Sequence, residues 1–310
     1  LATAMTAEAP ASVVRPMFQP AVAPDRPEVV FVSGGDLWTV PLQGGEARLL
    51  VSHPATESRP IYSPDGASLA FVSTRTGNGD LYVLRLDSGA LTRVTHGDTA
   101  DLLDAWSPDG TWLYFTSSAG EVSGRTNVFR VRATGGTPMP VVQERYVSEY
   151  WAAPAPKGDV LAMTAKGIVN AQWWRNGHSH IDESEIWLRH GGPTGCHEAV
   201  TTGGAKSAWP MWSPDATRLF FMSDRSGAEN LWEHRIGGTA RQLTPFTKGR
   251  VLWPSISRDG RSIVFERDLG LWRYDVGSGR ATAIAVTLRG APATDATQRV
   301  VLQNRFRDLA

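Results

Sequence analysis

The chain has a single cysteine, Cys196, in 310 residues. One thiol excludes an intrachain disulfide framework and a cysteine-rich zinc site. An excess of either charge is also lacking: 31 Lys and Arg stand against 31 Asp and Glu. No overall basic field is therefore available to hold nucleic acid, and there is no acidic tail. The basic residues are dispersed and do not interleave with aromatics as a groove following a nucleic-acid backbone requires. No apolar run approaches the roughly 18 residues of a spanning helix. A Gly-x-Ser-x-Gly elbow and a Walker loop are missing, and no Gly-x-Gly-x-x-Gly leads from a strand into a helix. The nucleophile and nucleotide sites that those motifs build are thereby removed.

What is abundant is Trp (12), Gly (31) and Pro (20), a composition of many turns and short strands. The turns recur. Ser63-Pro64-Asp65-Gly66 returns as Ser107-Pro108-Asp109-Gly110, and in eroded form as Ser213-Pro214-Asp215-Ala216 and Ser257-Arg258-Asp259-Gly260. Fainter copies are Ala23-Pro24-Asp25-Arg26 and Ala155-Pro156-Lys157-Gly158, and the mean spacing is about 47 residues. Each copy precedes an apolar run such as Leu69-Ala70-Phe71 or Ile263-Val264-Phe265. A second signature follows, an aliphatic and then an aromatic residue: Leu37-Trp38, Leu81-Tyr82, Val128-Phe129, Ile186-Trp187, Leu231-Trp232 and Leu271-Trp272. A Gly-containing turn and a last short strand end each unit. Pro pre-sets φ for a tight turn and Gly accepts positive φ, while β-branched and aromatic runs suit buried strands. Repeated four-stranded units of this length predict an all-β, six-bladed β-propeller of antiparallel blades over residues 21–290. A β-sandwich or another β-solenoid is the competing architecture. Residues 1–20 read as an Ala- and Pro-rich extension, and 291–310 as a segment leading toward a further repeat or domain.

The Ser-Pro-Asp-Gly turn, the Phe after it and the Asp-Leu-Trp strand resemble TolB-like (WD40-like) β-propeller repeats. The phrases DLWTVPLQGGEARLL (36–50), ESRPIYSPDG (57–66) and WWRNGHSHIDESEIWL (173–188) are most similar to the N-terminal six-bladed propeller of tricorn-type proteases. The resemblance covers roughly residues 20–290. It implies a non-catalytic module that filters or guides peptide substrate for a Ser nucleophile on later domains, and nothing here matches those domains. Free-standing relatives in the bacterial periplasm imply the alternative, a scaffold that binds protein partners. The implied partners are a peptide or protein chain, or further domains of a longer polypeptide, in a periplasmic or otherwise exported location. No cofactor is implied.

Three sets of residues carry candidate chemistry. Equivalent repeat positions become neighbours around a ring, so Glu57, Asp101 and Glu149, six residues before their tetrapeptides, are expected to form an acidic patch at the channel mouth. Arg59 neutralises part of it. Trp151, Trp209 and Trp253, four residues before theirs, are expected below the patch, either holding apolar peptide side chains or packing blade against blade. Finally, alternate residues of an extended segment point the same way, so His178, His180 and Asp182 can converge on a metal ion; the other reading is a hydrogen-bonded loop packed on Trp173 and Trp174. Those ligands would make the chain a metal-dependent enzyme, the third functional class after peptide gating and scaffolding. Cys196 beside His197 is set aside, because sequential neighbours rarely form a catalytic pair.

Overall fold

The structure, a computed structural model, describes residues 15–144, 146–167, 172–191 and 195–289. Most of the expected N-terminal extension and all of segment 291–310 lie outside the described residues. The described chain forms strands and no helix, so none is long and apolar enough to cross a membrane. Six antiparallel sheets of consecutive strands form the ring. Blade one comprises β1 (Phe18–Val22), β2 (Glu28–Ser33), β3 (Asp36–Pro41) and β4 (Gly45–Val51). Blade two comprises β5 (Glu57–Tyr62), β6 (Ser68–Ser73), β7 (Asp80–Arg85) and β8 (Leu91–Arg93). Blade three has β9 (Asp101–Trp106), β10 (Trp112–Ser117), β11 (Asn127–Arg132) and β12 (Met139–Val142). Blade four has β13 (Ser148–Pro154), β14 (Val160–Lys166), β15 (Glu185–His190) and β16 (His197–Ala199). Blade five runs from β17 (Ser207–Trp212) through β18 (Arg218–Ser223) and β19 (Asn230–Arg235) to β20 (Ala240–Gln242). Blade six runs from β21 (Leu252–Ile256) through β22 (Ser262–Arg267) and β23 (Gly270–Asp275) to β24 (Arg280–Ile284). The first strand of each blade touches the first strand of the next, and β21 touches β1. Blade one starts at Phe18, so residue 21, the expected boundary, lies within its first strand.

The register explains why two signatures recur. The aromatic that ends one run stands directly across the ladder from the aromatic of the next: Phe31 opposite Trp38, Phe71 opposite Tyr82, Phe115 opposite Phe129, Phe221 opposite Trp232, Phe265 opposite Trp272. Such cross-strand aromatic pairs stabilise a sheet by about 0.2–1 kcal/mol each, and they form the cores between neighbouring blades. Blade four departs, with Met163 opposite Trp187.

The tetrapeptide is a side-chain-locked turn. Ser63 Oγ donates to Asp65 Oδ1 at 2.6 Å and accepts from the Ser68 N–H at 2.9 Å, while the Ala67 N–H donates to Asp65 at 3.0 Å. Hydrogen bonds to the charged form hold Asp65, Asp109 and Asp259 below the usual carboxylate range, and Asp215 down to about 2, with the Ser hydroxyl the main cause in each. Gly occupies the left-handed position at φ 74°, 72° and 72° in blades two, three and six, but Ala216 is held there at φ 61°. An L-residue pays about 1–2 kcal/mol for that backbone. Ala216→Gly is therefore expected to stabilise the protein by about 1 kcal/mol despite glycine's greater unfolded-state entropy, measured as a rise in the denaturation midpoint.

The ring closes by clasps between its first and last blades. The Met17 N–H donates to Leu269 O at 3.0 Å and the Gly45 N–H to Ala285 O at 2.8 Å. Beyond blade six, β25 (Val286–Leu288) pairs in parallel with β4, as a fifth strand on blade one.

Candidate ligand-binding site on the ring axis

Every inner strand carries a β-bulge just before its midpoint. In five blades the first bulged residue has left-handed backbone: Gln19 (φ 51°), Arg59 (50°), Trp151 (54°), Trp209 (57°) and Trp253 (51°). Blade three places Leu103 and Asp104 at the equivalent positions. A bulge breaks the alternation of the strand and re-aims side chains, and here it gathers these residues at one level of the axis. The Trp151 and Trp209 rings are 4.5 Å apart, Trp209 and Trp253 5.3 Å, and Trp151 and Trp253 5.9 Å. The Arg59 guanidinium lies 4.7 Å over Trp253, a cation–π contact, and Gln19 Oε1 accepts from the Arg59 N–H at 2.7 Å.

Asp104 anchors this layer. Its carboxylate is fully enclosed and accepts from Thr116 Oγ1 at 2.6 Å, from the Ala152 N–H at 3.2 Å and from Arg59 Nη1 at 3.3 Å. Burial pushes Asp104 up to about 6, although Arg59, Thr116 and backbone N–H groups pull the other way. Burial likewise lowers Arg59 to about 10, against the pull of Asp104. Sequence reading missed Asp104. Its signal was the position: Pro20, Pro60, Pro210 and Pro254 occupy it in four other blades, where they remove an N–H that the bulge would leave pointing inward. Blade four has Ala152 there, and Asp104 accepts its N–H.

Trp173 joins the layer from the loop between β14 and β15, 5.1 Å from the Trp253 ring. Its loop is tied down by Arg250, which donates to Trp173 O and Trp174 O, and by Lys206 Nζ to Arg175 O at 3.1 Å. Both cations also bind the buried Glu229 carboxylate. These anchors precede the inner strands, so the loop covers that side of the axis. On the turn side the layer floors a cavity of about 340 Å³. Its walls include Pro60, Ile61, Trp106, Met211, Trp212 and Ser255. Two wall aromatics are riveted across blades, with Trp106 Nε1 donating to Ile61 O at 3.0 Å and Trp212 Nε1 to Ala153 O at 2.9 Å.

The acidic set occupies a different place. Glu57 and Asp101 open their strands and Glu149 is second in its own; they are 0%, 4% and 1% exposed, and none lines the axial cavity. Each is wedged against the preceding blade, its N–H donating to Gly35 O, Gly79 O and Thr126 O respectively. Glu57 pairs with Arg75 at 2.7 Å, and burial raises Asp101 above the usual range. The expected solvated acidic rim is therefore replaced by three separately buried carboxyls, because the bulge beyond them turns only the later side chains to the axis.

The metal expectation is also corrected. Residues 178–182 are not extended: the Asp182 N–H donates to Ser179 O at 2.8 Å, closing a turn that ends the alternation. His178 approaches Asp224 at 3.4 Å, His180 meets Glu183 at 2.7 Å, and Asp182 faces Arg175 at 3.2 Å. Among the described residues no group of three His, Cys, Asp or Glu side chains is placed to hold a metal ion.

Comparison with known proteins puts this ring in a family. An uncharacterized peptidase, YuxL, of Bacillus subtilis is 40% identical over 91 residues, 28% of this chain and 13% of that protein. The crystal structure of the tricorn protease superposes with a TM-score of 0.68 at 18% identity, over 87% of this chain and 26% of the other. A putative TolB from Agrobacterium tumefaciens superposes at 0.63 with 22% identity, over 76% and 83%. The chain thus spans only a small part of the peptidase and of the tricorn protease. The family model for the tricorn protease N-terminal β-propeller domain matches residues 16–280, and with six blades around a shared axis the chain belongs to that family.

Proposed function

We propose that the ring is a non-catalytic binding module that takes an apolar segment of a peptide or protein chain into the axial cavity, on a floor of Trp151, Trp209, Trp253 and Arg59. The observation that carries this reading is an axial cavity lined by the clustered rings of Trp151, Trp209 and Trp253 with Arg59 over Trp253. Its volume, about 340 Å³, is at the small end of ligand sites and suits one or two side chains. The tricorn likeness supports a module that serves peptidase domains elsewhere in a longer polypeptide. The TolB likeness supports the second reading, a scaffold for a separate protein partner, and an exported or periplasmic location goes with it.

The test is titration of the isolated chain, followed by tryptophan fluorescence, with an unstructured Leu- and Phe-containing peptide and an equally long Gly/Ser peptide. The apolar peptide is expected to bind and the Gly/Ser peptide to fail. Ser255→Trp, which fills the cavity from blade six, is expected to weaken binding at least tenfold, and the peptide is expected to emerge uncut. Equal affinity of parent and Ser255→Trp defeats the assignment.

A further inference from the structure

A second cavity, of about 720 Å³, lies beside blade four and shares no residue with the axial one. Val147, Met163 and Trp187 form its apolar side, and Glu149 and Lys166 stand in its wall. Among the described residues neither carboxylate oxygen of Glu149 closes a hydrogen bond, and the Glu144 backbone only partly offsets its burial. The Lys166 ammonium, on a half-buried side chain, is shielded from solvent and has no hydrogen-bond partner among the described residues.

A buried ionisable group without a partner is costly, and native structures leave few of them. Here an acid and a base share one cavity. The ladder keeps them from meeting: Lys166 stands opposite Ser148 and Glu149 opposite Ala165, so they leave opposite faces of the strand pair. The cavity reaches both around the end of β14, where Ala165 and Gly167 also line it. Two nearby acids, Asp182 and Glu183, favour the charged form of Lys166 from a distance without closing a hydrogen bond to it. Glu183 accepts from His180 at 2.7 Å and from the Gly204 N–H at 3.3 Å, and Asp182 faces Arg175.

A lone cation would leave Lys166 unsatisfied, and a lone anion would leave Glu149 so. A ligand carrying both charges satisfies the two together. We propose that this cavity binds a small zwitterion of the amino-acid type, free or as a dipeptide, with its ammonium on Glu149, its carboxylate on Lys166 and its side chain against Met163 and Trp187.

Calorimetric titration of the whole chain with leucyl-glycine, N-acetyl-leucyl-glycine and leucyl-glycinamide tests this, and L-leucine beside them tells the free amino acid from the dipeptide. Leucyl-glycine or leucine is expected to bind, and each cap to weaken the dipeptide at least tenfold. In Glu149→Gln the N-acetyl cap is expected to cost nothing further, and in Lys166→Met the amide cap nothing further. Ser255→Trp is expected to leave this binding unchanged, so failure here and failure at the axial cavity are separate results. Absence of binding by both zwitterions, or equal binding of the capped and uncapped dipeptides, overturns the assignment.

Discussion

Asp104→Ala is expected to lower the melting temperature by roughly 10 °C, the largest loss among single changes at the axis. Removing the carboxylate strands the Arg59 guanidinium, whose side chain is only 10% exposed. It also frees the Thr116 hydroxyl and the Ala152 N–H inside the ring. Breaking one partner of a buried pair costs about 3–5 kcal/mol, whereas replacing both with apolar groups is often neutral. Asp104→Asn, which keeps the acceptor but not the charge, is expected to lose less. Arg59→Met combined with Asp104→Leu is expected to recover most of the loss, since Met can keep the packing of the arginine stem on Trp253. Thermal unfolding followed by circular dichroism measures all three. If the double variant melts as low as Asp104→Ala, the stranded charge is not the cause.

Stability is expected to fall as pH rises from about 4 to 8. Burial raises three native carboxyls, Asp104 to about 6, Glu266 to about 7 and Glu149 to about 8, from ordinary values of 3.8 and 4.5. A carboxyl that holds its proton more tightly in the folded than in the unfolded chain contributes stability that is complete below its unfolded value. That stability is lost as pH climbs through the folded value. The window therefore lies between about pH 4 and pH 8, and its upper part belongs to Glu149. Each unit is equivalent to about 1.4 kcal/mol, so Glu149→Gln is expected to recover on the order of 5 kcal/mol at pH 8.5 relative to the parent. It should change little at pH 4. Denaturant unfolding of parent and variant at both pH values measures this, and parallel pH profiles would remove Glu149 as the cause.

The blades were legible because each repeat announces itself through residues that can do little else. Pro-Asp-Gly makes a turn, and the paired aromatics read as strand residues before their cross-ladder contact is visible. The placement of Trp151, Trp209 and Trp253 near the axis followed from counting back to the turn. What stayed hidden was backbone. Arginine and tryptophan at positive φ leave no compositional trace, so the bulge that turns residue 59 inward, and with it the burial of Glu57, Asp101 and Glu149, had no sign in the repeat. Segment 178–182 was misread for the same reason, since polar residues that alternate on paper close a turn through Ser179. The partnership of Asp104 with Arg59 crosses blades, and a repeat alignment compares blades without touching them together.

The clasp by β25 bears on how molecules of this protein behave toward one another. Outer strands present unpaired backbone, and proteins blunt such edges by keeping them short, charged or interrupted by Pro. β8, β16 and β20 have three residues each, with a charged side chain in every one, and β12 contains Pro140. β4 is different: it has seven residues, the longest outer strand, with Leu49 44% exposed. β25 occupies Gly45–Ala47 of that edge from within the same chain. Gly44 makes room, since a side chain there would meet Ala285 O at 2.6 Å. By filling part of the longest outer edge among the described residues, the clasp leaves less unpaired backbone for a strand of a second molecule to join.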